Sequence, residues 1–81
     1  MTELLFVGFR SFYSKDKDRN YYVLEFITRP RYNNDKTQCY YNPITIFTTE
    51  EKYNHFIDEN DIETYVPVNF EVNGEKVRYF I

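Results

Sequence analysis

From Tyr65 to Ile81 the chain alternates with a period of two. Val66, Val68, Phe70 and Val72 fall on one side, with Tyr65, Pro67, Asn69 and Glu71 on the other. Val77, Tyr79 and Ile81 then alternate with Lys76, Arg78 and Phe80. Only an extended strand sends every second side chain to the same face. Between the two runs stands Asn73-Gly74, the preferred pair for a two-residue type I′ turn. A β-hairpin over 65–81 follows, so the chain is bound to build a sheet whose core comes from alternating faces.

The remaining elements are read against that hairpin. Leu4 to Phe12 is predicted to be a strand, with Gly8 marking a bulge or bend. The polar stretch 14–20 is a turn. Tyr21 to Thr28 is a second strand, with Tyr22, Leu24 and Phe26 on one face and Tyr21, Val23, Glu25 and Ile27 on the other. Pro30 ends it, and Arg29 to Lys36 is expected to be a polar loop. Thr37 to Phe47 is a third extended segment, in which Pro43 points to an edge position or a bulge. Thr48 and Glu51 have capping-box spacing. Tyr53, Phe56 and Ile57 follow at helical spacing, for a helix of about two to three turns. The order strand, strand, strand, helix, strand, strand over residues 1–81 predicts a single all-β domain with one short helix. It is the order of a five-stranded OB-like Greek-key barrel. Leu5, Val7, Leu24, Phe26, Ile44, Ile46, Phe56, Val68, Phe70 and Val77 are expected to fill its core, joined by Phe6, Phe9, Tyr22, Phe47 and Tyr79.

Composition excludes several classes. With 81 residues, 42% of them hydrophobic, the chain is large enough for one small core and too apolar for disorder. No apolar run approaches the roughly 18 residues of a membrane span. The first ten residues lack the basic start and apolar stretch of a signal peptide. Cys39 is the sole cysteine, so no internal disulfide framework is expected, and a cytoplasmic location follows. Cys39 and the single histidine, His55, are far apart in the chain, which argues against a nucleophile–base pair and against an enzyme. One His and one Cys do not make a structural zinc site. The acids Asp58, Glu59, Asp61 and Glu63 lack the spacing and central glycine of a calcium loop, so no metal is expected. Gly8 and Gly74 are the only glycines, so no phosphate loop and no cofactor site is expected.

What stands out is the pairing of aromatic residues with positive charge. The chain holds nine Tyr, eight Phe and no Trp. Residues 1–40 carry seven Lys/Arg and five acids, residues 41–81 three Lys/Arg and eight acids, so a net charge of −3 conceals a basic half and an acidic half. Phe12, Tyr13 and Tyr21 flank the turn that carries Lys15, Lys17 and Arg19, and Arg10 lies just before it. Arg29, Arg31 and Lys36 are interleaved with Tyr32, Tyr40 and Tyr41. Exposed rings offer faces to unstacked bases, and neighbouring cations hold phosphates. These thirteen residues form the expected nucleic-acid-binding set.

Gly8-Phe9-Arg10-Ser11-Phe12, a Lys-rich turn and Tyr21-Tyr22-Val23-Leu24 together resemble the opening hairpin of small OB-fold single-stranded-DNA-binding proteins of phages and mobile elements of low-GC bacteria. The run from Val68 to Val77 is similar to the closing hairpin of that group. The resemblance covers about half of the chain, which departs from the group in its acidic second half and its polar connection 29–38. It implies that the first hairpin touches DNA and that the protein is a homodimer; the expected role is in replication of a phage or mobile element. The residues themselves leave a second reading open: a small protein-interaction module or inhibitor of a host or replication protein, with its acidic half imitating DNA.

Overall fold

The computed structural model describes residues 2–81 and is mostly β with one helix. The strands are β1 (Thr2–Ser14), β2 (Arg19–Ile27), β3 (Arg31–Tyr32), β4 (Cys39–Tyr40), β5 (Pro43–Thr48), β6 (Thr64–Asn73) and β7 (Lys76–Phe80), with helix α1 (Glu50–Glu59) between β5 and β6. Five strands form one antiparallel sheet in the order β5-β2-β1-β6-β7. Its two ends, β5 and β7, curl until their Cα atoms come within 8 Å. The result is a nearly closed barrel with the predicted OB-like strand order. The short strands β3 and β4 pair separately as a small ribbon.

β1 is the shared strand. Its first five residues, Thr2 to Phe6, pair with β6, and it pairs with β2 from Leu5 to Ser14. The β1–β2 register slips between Phe6 and Gly8, leaving Val7 as the extra residue of a bulge. A bulge reverses the alternation beyond it. Before it Leu4 and Phe6 point inward and are fully buried. After it Phe9, opposite Leu24, is the inward residue, while Arg10 and Phe12 turn outward opposite Val23 and Tyr21. This corrects the expected core, because Leu5 is half-buried on the outer face and Val7 is exposed, whereas Leu4 takes the core position.

Leu4, Phe6, Leu24, Phe26, Ile46, Tyr53, Val66 and Val68 make the core, with Tyr22, Ile44, Phe56 and Ile57 packed against it. The face predicted for Tyr22, Leu24 and Phe26 is the inner one. Helix α1 adds its aromatic stripe. Phe56 meets the Phe6 ring edge-on at 5.0 Å and the Phe26 ring at 5.7 Å, and Tyr53 lies 5.3 Å from Tyr22. The N-cap is Thr49, whose hydroxyl accepts from Lys52 N at 3.3 Å. Thr48, the expected cap, is instead held in the ladder opposite Tyr22.

Three further expectations are corrected. The segment 37–47 is two strands, since β4 belongs to the ribbon and β5 begins at Pro43, where a missing N–H is harmless. The supposed loop 29–36 contains β3. The base of the ribbon is tied by Thr28 N to Asn42 O at 3.0 Å and by Asn42 N to Thr28 Oγ1 at 2.8 Å. The last hairpin forms as predicted, but its two-residue loop is Gly74-Glu75, because Asn73 pairs with Lys76. Gly74 at φ 67° is the first loop residue and Asn73 stays in the strand, which is the type II′ arrangement.

The molecule measures 49 × 32 × 24 Å with a radius of gyration of 14.6 Å. A compact chain of this length would have about 12 Å. The excess comes from hairpins that outrun the barrel. Among the described residues strand β6 has no partner beyond Val68 but β7, and Phe70, Val72 and Val77 keep the inward phase and remain exposed, Phe70 at 40% and Val72 at 63%. The expected core positions of Phe70 and Val77 are therefore corrected: the alternation gives the face, and the barrel ends before they are reached.

Candidate nucleic-acid interface

The outer face of β1, β2 and β5 carries a row of rings that crosses the strands. Phe12 and Tyr21 face each other in the ladder and stack at 5.5 Å between centroids, 25° from parallel. Phe47, on the next strand, meets Tyr21 edge-on at 5.9 Å. Val23, between Arg10 and Phe47 in the ladder, is completely buried although it lies outside the core cluster. The outer face thus has an apolar floor of its own.

Two arginines are laid on these rings. The Arg10 guanidinium is 5.2 Å from the Phe12 centroid, and that of Arg19 is 4.8 Å from the Tyr21 centroid. Arg10 also donates through Nε to Glu25 Oε1 at 3.0 Å, an exposed pair. Such contacts hold each cation beside a ring on the sheet surface. Each arginine therefore presents its remaining N–H donors beside an aromatic surface, the pairing that a base and its phosphate need.

The thirteen residues expected from sequence divide into three groups. Arg10, Phe12, Arg19 and Tyr21 come together on the outer face. Lys15 and Lys17 are exposed in the turn at its end, where Lys17 N reaches Ser14 Oγ at 3.4 Å. Tyr13 lies in the opposite phase of β1, and its hydroxyl donates to the Asp18 carboxylate. That bond, together with desolvation, raises its pKa. It is set apart from the row.

The third group belongs to the ribbon. Arg31, Tyr40 and Tyr41, with Arg29, line a small open groove of about 300 Å³ at its base. Arg29 is committed elsewhere, 4.3 Å over the Tyr65 ring and 3.5 Å from Glu3. Tyr32 and Lys36 lie toward the ribbon's tip, which is knitted by side chains: Asn33 Oδ1 accepts from Gln38 N at 2.9 Å, and Thr37 Oγ1 donates to Asp35 Oδ1 at 2.8 Å. The bonds from Thr37 hold the Asp35 carboxyl below its usual range. Lys36 at φ 58° occupies the left-handed corner of this turn.

Sequence reasoning placed Phe47 in the core, yet it is 60% exposed at the end of the ring row. The available signal was its parity. Ile44 and Ile46 share the inner phase, so Phe47 is out of step with them. Among the described residues no group of three or more His, Cys, Asp or Glu side chains converges, and no helix is long and apolar enough to cross a membrane. Comparison with protein-family models, curated proteins and solved structures finds no match to this chain.

Proposed function

We propose that this chain binds single-stranded DNA with little sequence preference, in the cytoplasm, during replication of a phage or mobile element. The observation that carries the reading is the row Phe12, Tyr21 and Phe47 with Arg10 and Arg19 laid against it. It runs over the outer surface of β1, β2 and β5 and so includes the face of the second and third barrel strands, the one that OB barrels use for oligonucleotides. Sheet-borne rings accept any base, because every base has a π-face, so binding would be tolerant of sequence. Duplex DNA hides those faces. The test is binding of a labelled oligonucleotide as single strand and as duplex at low salt. Tighter binding of the single strand is expected, and equal or absent binding of it overturns the reading.

A second reading, a protein-interaction module that imitates DNA, draws on one observation. Helix α1 and the loop after it expose Glu51, Asp58, Glu59, Asp61 and Glu63. It predicts that no oligonucleotide binds and that the acidic side is the functional one.

A further inference from the structure

The barrel is not sealed where β5 and β7 meet. No ladder joins the two strands, and an open groove of about 720 Å³ runs along the seam. That volume lies in the range of sites that hold small organic molecules. The groove is continuous with the ring row, for Arg19, Tyr21 and Phe47 belong to both. Its far wall comes from the acidic half of the chain, and there it has a ring and two cations: Phe80, Arg78 and Lys52.

Two kinds of occupant suit an open seam. An extended peptide could pair with the strand edges, but a strand inserted between β5 and β7 needs about 9.5 Å across it, twice the interstrand spacing. These strands approach within 8 Å, so there is no room along the full seam. A nucleotide needs no ladder; it needs a ring and a cation. Two carboxylates also line the groove. Glu71 already faces Arg78 at 3.5 Å, and Glu50 lies with Tyr22 in the lining.

We infer that the β5–β7 seam is a second nucleotide subsite, in which a single strand leaving Phe47 continues with a base against Phe80 and phosphate against Arg78 and Lys52. The inference rests on the proposed DNA reading and extends it to residues outside the basic half. The strand then crosses the sheet edge instead of ending on it, and the footprint is longer than the outer face alone can cover.

The test is fluorescence anisotropy with labelled oligo-dT of about four and about twelve nucleotides, lengths near the limits of one OB-type site. Arg78→Gln and Phe80→Ala should each weaken the long oligonucleotide about fivefold or more and leave the short one unchanged. Glu50→Gln should act oppositely, tightening the long one by removing a charge that repels phosphate. If the long oligonucleotide binds the wild type and all three variants alike, or if both lengths weaken equally, the subsite is overturned while the DNA reading stands. If the wild type binds neither length, the DNA reading itself fails.

Discussion

Arg19 and Tyr21 stand two residues apart on β2, and the guanidinium of the first lies 4.8 Å from the ring centroid of the second. Residues at that spacing share a face of a strand, so the cation and the ring come as one unit on the outer surface. Arg10 and Phe12 repeat the arrangement on β1 at 5.2 Å, and the two units are joined by the stack of Phe12 on Tyr21.

Replacing Phe12, Tyr21 or Phe47 by Ala should weaken single-strand binding by about 1–3 kcal/mol for each stacked base lost. Phe47→Ala is the cleanest of these, being the most exposed of the three rings. Tyr13→Ala should have a smaller effect, since Tyr13 lies in the other phase of β1 and is tied to Asp18. Oligonucleotide titration with a parallel thermal melt checks both. Equal losses at Tyr13 and Phe47 would mean that the row is not the binding surface.

Leu24→Ala, at the centre of the core, should destabilise the fold by about 2–5 kcal/mol. Phe70→Ala should cost clearly less, because its ring keeps 40% of its surface in water beyond the end of the barrel. Denaturant unfolding of the two variants decides whether hairpin β6–β7 carries part of the core or projects from it.

Salt should weaken DNA binding moderately. If about four cations contact phosphate, log K against log salt should fall with a slope near −3, at roughly −0.7 per phosphate on a single strand. Arg10 already faces Glu25 and Arg29 faces Glu3, so Glu25→Gln should change the affinity by freeing Arg10. A flat salt profile would assign the binding to something other than these cations.

The ribbon tip should respond to acid. The folded pKa of Asp35 is depressed by the bonds from Thr37, so its contribution to the tip is present above the ordinary carboxylate value of 3.8. It is lost as pH falls through the lower, folded value. The amide resonances of Thr37 and Gln38 should therefore shift below about pH 3.8, and Asp35→Asn should abolish that step. A step centred above that pH would contradict the assignment.

Much of the fold was legible because strands advertise their phase. The order of elements, the inner face of β2, the helical stripe of Tyr53, Phe56 and Ile57 and the closing hairpin were all read from spacing. Phase does not report where a strand changes register or where a barrel stops. Val7 sits among apolar neighbours, so nothing in the local pattern marks it as the extra residue, and the inward set of β1 was misread as Leu5 and Val7. Phe70 and Val77 keep the inward phase but lie past the last ladder partner of β6 on β1. Of the candidate site, the four residues that flank the first turn were legible because a hairpin must bring its ends together. Phe47 was legible in its parity against Ile44 and Ile46 but was read as core; the seam residues Lys52, Arg78 and Phe80 were not legible, since only closure of the barrel places them beside Phe47 and Tyr21.

The bulge at Val7 gives β1 two independent lineages of constraint. Upstream of it, substitutions are judged by how they pack against β6 and α1; downstream, the outward positions Arg10 and Phe12 answer to whatever touches the sheet from outside. The extra residue decouples the two, so the outer surface can drift toward new ligands without disturbing the buried half. A one-residue deletion there would exchange the two phases, turning Phe9 to the outer face and Arg10 toward the inner one. Changing the length of this strand therefore disturbs the fold more than exchanging one of its outward side chains.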